Sequence, residues 1–282
     1  MLEAGTRLRP YLTAALAAVL VSLPAQAVES TDADSARVVV FDGESHWNRV
    51  LVVDEGRLRY LRFHDVDGDD QSVIVRDDPA AVPMEYIRFA AAALAVPRRL
   101  KRALVVGLGA GAFPMLLRRT RPNSWVEVVE LDEFVHQVAA RYFGFVQDRH
   151  LRVRIGDGAR AFRDGRRWDL IFLDAYGAAS IPEPLATAAF FGEVSHALAP
   201  DGVVVANIAN PDASVEKTTI ARFAGAFSAC VLVRTPESDN VIVLGARSLP
   251  ADLTPALQKV DQEGRLSFVL GPMGARFKAC ER

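Results

Sequence analysis

Between residues 37 and 76 apolar and polar positions alternate in short runs: RVVVFDG at 37–43, then HWNRVLVVDEGRLRYLRFHDVDGDDQSVIVRDD. The breaks at DEG and DVDGDD read as hairpin turns, so this stretch predicts a small antiparallel unit. Residues 83–96 (PMEYIRFAAAALAV) carry helical spacing and stop at Pro97. Beyond Pro97 the texture changes. Short runs rich in apolar residues at 103–107, 125–130, 151–155, 169–173 and 202–208 predict strands. Amphipathic stretches near 111–120, 132–142, 158–163, 187–198 and 214–227 predict helices between and after them. Strands apolar on both faces belong in a parallel sheet covered by helices on each side.

The last two apolar runs, 230–235 and 240–247, are joined only by PESD and its neighbours. Such a short connection makes an antiparallel hairpin at the end of a parallel sheet. That ending suits a nucleoside-binding, methyltransferase-like sheet better than a dinucleotide domain. The expected fold class is therefore α/β: a methyltransferase-like Rossmann sheet, mostly parallel with an antiparallel C-terminal hairpin, beside a small N-terminal β-hairpin unit. The expected divisions are a β unit at 37–78, a Rossmann-like nucleoside-binding domain at 83–250 and a C-terminal extension at 251–282.

The first residues stand apart. Arg7 and Arg9 precede an apolar run at 11–23, and AQA at 25–27 has the small residues of a signal-peptidase site. Residues 1–27 read as a signal peptide cleaved after Ala27, which predicts an exported, periplasmic or secreted protein; the alternative keeps the segment as a membrane anchor. No later apolar run is long and uncharged enough to span a bilayer, so no membrane association is expected after cleavage. The two cysteines, Cys230 and Cys280, then meet oxidising conditions and either pair or stay as separate thiols. The formal net charge is −2, with acids and bases mixed along the chain, which gives no nucleic-acid footprint. Five scattered histidines and no CxxC or HExxH predict no metal site. HDVDGDDQ (64–71) looks acidic enough for calcium, but Gly68 falls fourth from Asp65 and no matching glutamate follows, so it reads as a hairpin turn.

Candidate chemistry begins at ALVVGLGAGAFPMLLRR, 103–119. A strand that ends in glycine lets a ligand approach the backbone, and the following helix presents free N–H groups. Gly107, Gly109 and Ala112 satisfy G-x-G-x-x-G/A, and Gly111 lies within the same turn, so NAD and an adenosyl sulfonium both remain candidates here. Three acids follow at successive strand ends. Glu130 closes VEVVE and suits ribose hydroxyls. Asp157, in RIGDG, suits an adenine amino group or a helix N-cap. Asp174 ends DLIFLD at the carboxyl edge, where open α/β sheets bind ligands. An acid-rich mouth repels a pyrophosphate and attracts a cation, which ranks the sulfonium nucleoside ahead of NAD.

The order of these motifs, ALVVGLGAGAFPMLL, VEVVELDEFVHQVAARYFGF, DRHLRVRIGDGARAF, WDLIFLDAYGAASIPEPLATAAFF and LAPDGVVVANI, resembles the spermidine/spermine synthase (polyamine aminopropyltransferase) family, most of all its bacterial spermidine synthase-like branch. The resemblance runs from about Ser45 to the C-terminal hairpin. It implies transfer of an aminopropyl group from decarboxylated S-adenosylmethionine to a polyamine amine such as putrescine, with no metal. It implies that Glu130 binds ribose, that Asp157 and Gly158 bind adenine, and that Asp174 is the catalytic acid. Gln71 matches a substrate-side glutamine and Tyr86 a gate tyrosine, and paired N-terminal units imply a homodimer. Two family acids are replaced, by Ala110 in the glycine loop and by Gly177 after Asp174; Glu183 in IPEP is a candidate substitute for the second. These departures leave three readings: the aminopropyltransferase, an S-adenosylmethionine-dependent methyltransferase, and an exported protein that binds polyamine or nucleoside without turnover. A dehydrogenase ranks behind all three, because no histidine is evident as a hydride-transfer partner.

Overall fold

Hairpin-length spacing and β-branched runs build the first sheet. In the computed structural model, which describes residues 36–68, 70–175, 181–208 and 210–281, four strands form an antiparallel meander: β1 (Arg37–Glu44), β2 (Arg49–Glu55), β3 (Leu58–Phe63) and β4 (Asp70–Val75). The expected signal peptide at 1–27 and Gly177 lie outside the described residues. Alternation in β2 and β3 places Val50, Val52 and Leu61 on one face. That face packs on Val135, Val138, Phe143 and Ala110, so the meander is fixed against the glycine turn.

The remaining chain builds the larger sheet. After α1 (Glu85–Ala90) and a 3-10 segment at Ala91–Ala95 come β5 (Arg102–Val106), α2 (Ala112–Thr120), β6 (Trp125–Glu130), α3 (Glu133–Tyr142), β7 (Leu151–Ile155) and β8 (Trp168–Leu173). Then follow α4 (Ala188–His196), β9 (Leu198–Asn207), α5 (Ala213–Gly225), β10 (Ala229–Arg234), β11 (Val241–Ala246), α6 (Thr254–Gln262) and β12 (Lys278–Ala279). The sheet order is β12-β10-β11-β9-β8-β5-β6-β7. Strands β7, β6, β5, β8 and β9 are parallel, and β11 enters antiparallel between β9 and β10. A dinucleotide domain would run parallel to its sixth strand. The inserted antiparallel strand is the methyltransferase-like ending that the short 235–240 connection predicts.

Two apolar layers cover this sheet. Phe113, Leu116, Leu117 and the Ala90–Leu94 segment fill one side, joined by Leu257 and Val260 of α6. Trp168, Phe190, Phe191 and Phe223 fill the other. The predicted helix near 158–163 is instead one 3-10 turn, Gly158–Arg160. Gly158 sits so close to Val106 that a β-carbon would collide there, and the chain must turn again at Gly165 (φ +71) to enter β8. The room left is one turn.

Cys230 and Cys280 form a disulfide that ties the residue after β12 to β10. The bridge closes a 50-residue separation. In the chain-entropy account a loop of that size is worth about 4 kcal/mol. The Cys230→Ser/Cys280→Ser double variant should therefore melt several degrees lower under non-reducing conditions. Equal melting temperatures would show that the tail contributes nothing.

Candidate active site

The site begins where β5 runs out. Gly107 has φ +98, and a β-carbon on it would drive into the backbone carbonyl oxygen of Asp174. Only glycine lets the ends of β5 and β8 come this close. Gly109 (φ +53) has open space, its nearest neighbour being Ser72 at 3.7 Å, so there it is the backbone conformation that requires glycine. Gly111 differs. It is the N-cap of α2 and lies against the Phe145 ring, and it does not line the cavity. Its role is close packing, a correction to its expected place in the binding turn.

The turn opens into a cavity of about 1320 Å³. Single-ligand pockets hold roughly 300–1,000 Å³, so there is room for a nucleoside and a second molecule. Gln71, Tyr86, Gly107, Gly109, Glu130, Asp157, Gly158 and Asp174 all line it. Seven carboxylates line it against two guanidiniums, Arg160 and Arg234. That imbalance favours a cation and disfavours a pyrophosphate. Among the described residues no group of His, Cys, Asp or Glu is arranged to hold a metal ion.

Glu130 is buried at the end of β6. Its Oε2 accepts the Leu108 N–H at 2.8 Å and its Oε1 accepts the Asp132 N–H at 2.9 Å. One carboxylate thus clamps the glycine turn and the start of α3 together. Glu130 also lines the cavity, and each carboxylate oxygen can accept more than one hydrogen bond. Burial pushes the Glu130 carboxyl above its ordinary range, against the pull of those backbone N–H groups. Asp132 caps α3 by accepting the Phe134 N–H at 2.9 Å, and accepts a bond from Ser45 of the β1–β2 turn. Asp157 caps its own turn, accepting the Ala159 N–H at 2.8 Å, and its half-exposed carboxylate faces Arg160 at 3.5 Å. Capping and lining coexist at that position.

Asp174 sits at the cavity wall between two neutral donors. The Tyr86 hydroxyl donates to its Oδ2 at 3.0 Å, and the Asn207 amide donates to its Oδ1 at 3.1 Å. Surrounding protein penalises the charge more than these donors relieve it, and the carboxyl is pushed up to about 6. Tyr86, expected as a gate residue, therefore touches the candidate acid directly.

Ala110 is buried against Val50, Val52 and Val138, an apolar setting in place of the family aspartate. Glu183 is exposed on the 3-10 turn Glu183–Leu185, and its neighbours Pro182, Pro184 and Leu185 line the cavity. Sequence reasoning missed Asn207, Asn240 and the buried Glu216, which also line the cavity. Asn207 had a signal: it is the polar residue ending β9, the position in its strand that Glu130 and Asp174 take at theirs. Asn240 had none, because its role depends on pairing between distant strands.

No protein-family profile matches the chain. A polyamine aminopropyltransferase of Vibrio vulnificus is 33% identical over 175 residues, 60% of this chain and 58% of that protein. A polyamine aminopropyltransferase of Chromobacterium violaceum is 29% identical over 81% of this chain and 89% of that protein. An eEF1A lysine and N-terminal methyltransferase of Danio rerio is 33% identical over 51% of this chain, but only 23% of its own length is spanned. Spermidine synthase from Thermotoga maritima superposes with a TM-score of 0.70 at 19% identity, covering 85% of this chain and 84% of that one, and this shows the shared fold. Human methyltransferase-like protein 13 in complex with SAH superposes with a TM-score of 0.58 at 25% identity, over 67% of this chain and 99% of that chain. In sequence the chain is thus similar to polyamine aminopropyltransferases, spanning a little over half of the Vibrio protein's length, and in fold it is similar to spermidine synthase.

Proposed function

We propose that the protein transfers an aminopropyl group from decarboxylated S-adenosylmethionine to the amine of a small polyamine. The observation that carries this reading is Asp174, a carboxyl raised to about 6, facing a cavity large enough for two ligands. The nucleoside half would lie across the glycine turn, with ribose hydroxyls on Glu130 and adenine near Asp157 and Gly158. In the reaction a neutral amine attacks the carbon beside the sulfonium. The N–C bond forms, the C–S bond breaks, and methylthioadenosine leaves with the sulfur electron pair. The amine proton passes to Asp174. An amine titrates near 10 and an ordinary aspartate near 4. A carboxyl near 6 narrows that gap, and positioning supplies much of the remaining acceleration, roughly 7–11 kcal/mol at best.

The second reading is a methyltransferase that uses S-adenosylmethionine itself. The apolar setting of Ala110 favours it, since no acid at that position of the glycine turn would repel the carboxylate that distinguishes S-adenosylmethionine from its decarboxylated form. Export is supported by the Cys230–Cys280 disulfide, which persists in oxidising compartments. A homodimer is supported by Val38, Val39 and Val40, all exposed on the sheet-edge strand β1.

Thermal shifts with residues 28–282 test the reading. Methylthioadenosine and decarboxylated S-adenosylmethionine should each raise the melting temperature by several degrees at 100 times Kd, which is worth about 2.7 kcal/mol. A shift with S-adenosylmethionine alone selects the methyltransferase. No shift with any nucleoside removes both enzymatic readings.

A further inference from the structure

Along the same cavity wall, a second amide reaches Asp174 through Asn207. The Asn240 side-chain N–H donates to Asn207 Oδ1 at 2.9 Å, and Asn207 Nδ2 in turn donates to Asp174 Oδ1 at 3.1 Å. An asparagine side chain presents an oxygen on one side and an NH₂ on the other. Once Asn240 holds the oxygen of Asn207, the NH₂ has only one direction left, toward Asp174. Asn240 is itself fixed. Its backbone carbonyl accepts both the Thr235 N–H and the Thr235 hydroxyl at 3.0 Å, closing the β10–β11 turn. The register places Asn207 opposite Ile242, two residues along β11 from Asn240.

We propose that Asn240 is a positioning residue for the candidate active-site acid: it sets the orientation of the Asn207 amide and so keeps a neutral hydrogen-bond donor on Asp174. This inference rests on the reading of Asp174 as the proton acceptor, but the wiring itself does not need turnover to be observed. The groups that act on Asp174 are few. Tyr86 of α1 donates on one side and Asn207 of β9 on the other, and no charged side chain among the described residues contributes to its shift. A neutral donor favours the carboxylate without adding a charge that would hold it ionised far below neutral pH. The amide orientation therefore decides whether Asp174 meets a donor or an acceptor on Oδ1.

An Asn240→Asp variant tests it. Its carboxylate cannot donate to Asn207, but it can accept from the Asn207 NH₂. The amide then turns over and presents its oxygen to Asp174. Asp174 ionisation is followed by carboxyl NMR on aspartate-labelled full chain, with Asp174→Asn assigning the resonance. In Asn240→Asp the Asp174 midpoint should rise by about one unit or more, because the charged form loses its donor. Asn240→Leu, which removes the donor without adding charge, should move it in the same direction by less. The deciding variant is Asn240→Asp in an Asn207→Leu background, where only the through-space charge effect remains and the rise should be less than half of that in the single variant. An equal rise there would mean that residue 240 acts by its own charge alone, and the proposal falls. An unchanged midpoint in both Asn240 single variants overturns it as well. Absence of aminopropyl transfer in the wild type would count against the proposed function and leave this titration result standing.

Discussion

Replacing Asp174 by Asn should make the protein more stable at pH 8 and nearly inactive. The sign follows from the raised carboxyl. A group that titrates near 6 when folded and near 4 when unfolded holds its proton more tightly in the native state. Its stabilising contribution is complete below about pH 4 and is lost as the pH rises through 6. At pH 8 the ionised Asp174 costs up to about 3 kcal/mol, reduced by cavity water. Asparagine removes that charge and keeps an oxygen that can accept from Asn207. Melting temperature at pH 8 should rise by several degrees, and the gain should vanish by about pH 4. Turnover should fall by about 10²–10⁴, the range usual for a lost proton acceptor. Wild-type turnover should climb as pH rises through about 6. An Asp174→Asn enzyme that melts lower at pH 8, or turns over normally, would remove Asp174 from this role.

Glu130→Ala should have the second largest effect, and on two measurements at once. The wild-type carboxylate accepts the Leu108 and Asp132 N–H groups. Truncation strands both donors in a buried place, at about 1–3 kcal/mol each unless water enters. The same truncation removes the proposed ribose acceptor, for a loss of about 100-fold or more in methylthioadenosine affinity by equilibrium titration. Affinity of the wild type should also weaken as pH falls through the raised Glu130 midpoint, since a protonated carboxyl has fewer lone pairs to offer. Affinity within about threefold of wild type would place the nucleoside elsewhere.

Much of this was legible in the sequence because burial writes itself into hydrophobic runs. The strands at 125–130 and 151–155 coincide with β6 and β7. The antiparallel ending followed from the length of one connection. Strand-end acids pointed to Glu130 and Asp174 because the topology of a parallel sheet puts all those ends on one edge. The failures share a cause. Gly111 carries the same motif letter as Gly107, but only the position of Phe145 reveals that it is a packing glycine. Glu183 has the right charge in the right segment, but it stands exposed on its 3-10 turn. Asn240 reaches Asn207 across strands far apart in the chain, which no local pattern records.

The two oxygens of Asp174 are not equivalent, and this bears on proton traffic. Asn207 is clamped by Asn240 and can only donate to Oδ1. A proton arriving on that oxygen would face an N–H with nowhere to turn. The Tyr86 hydroxyl, which donates to Oδ2, can rotate and accept instead. Under the proposed reaction the proton therefore enters on Oδ2, and the tyrosine oxygen becomes the first station on its way out to water. The amide side of the carboxylate is a dead end, so each turnover loads and unloads the acid through a single door.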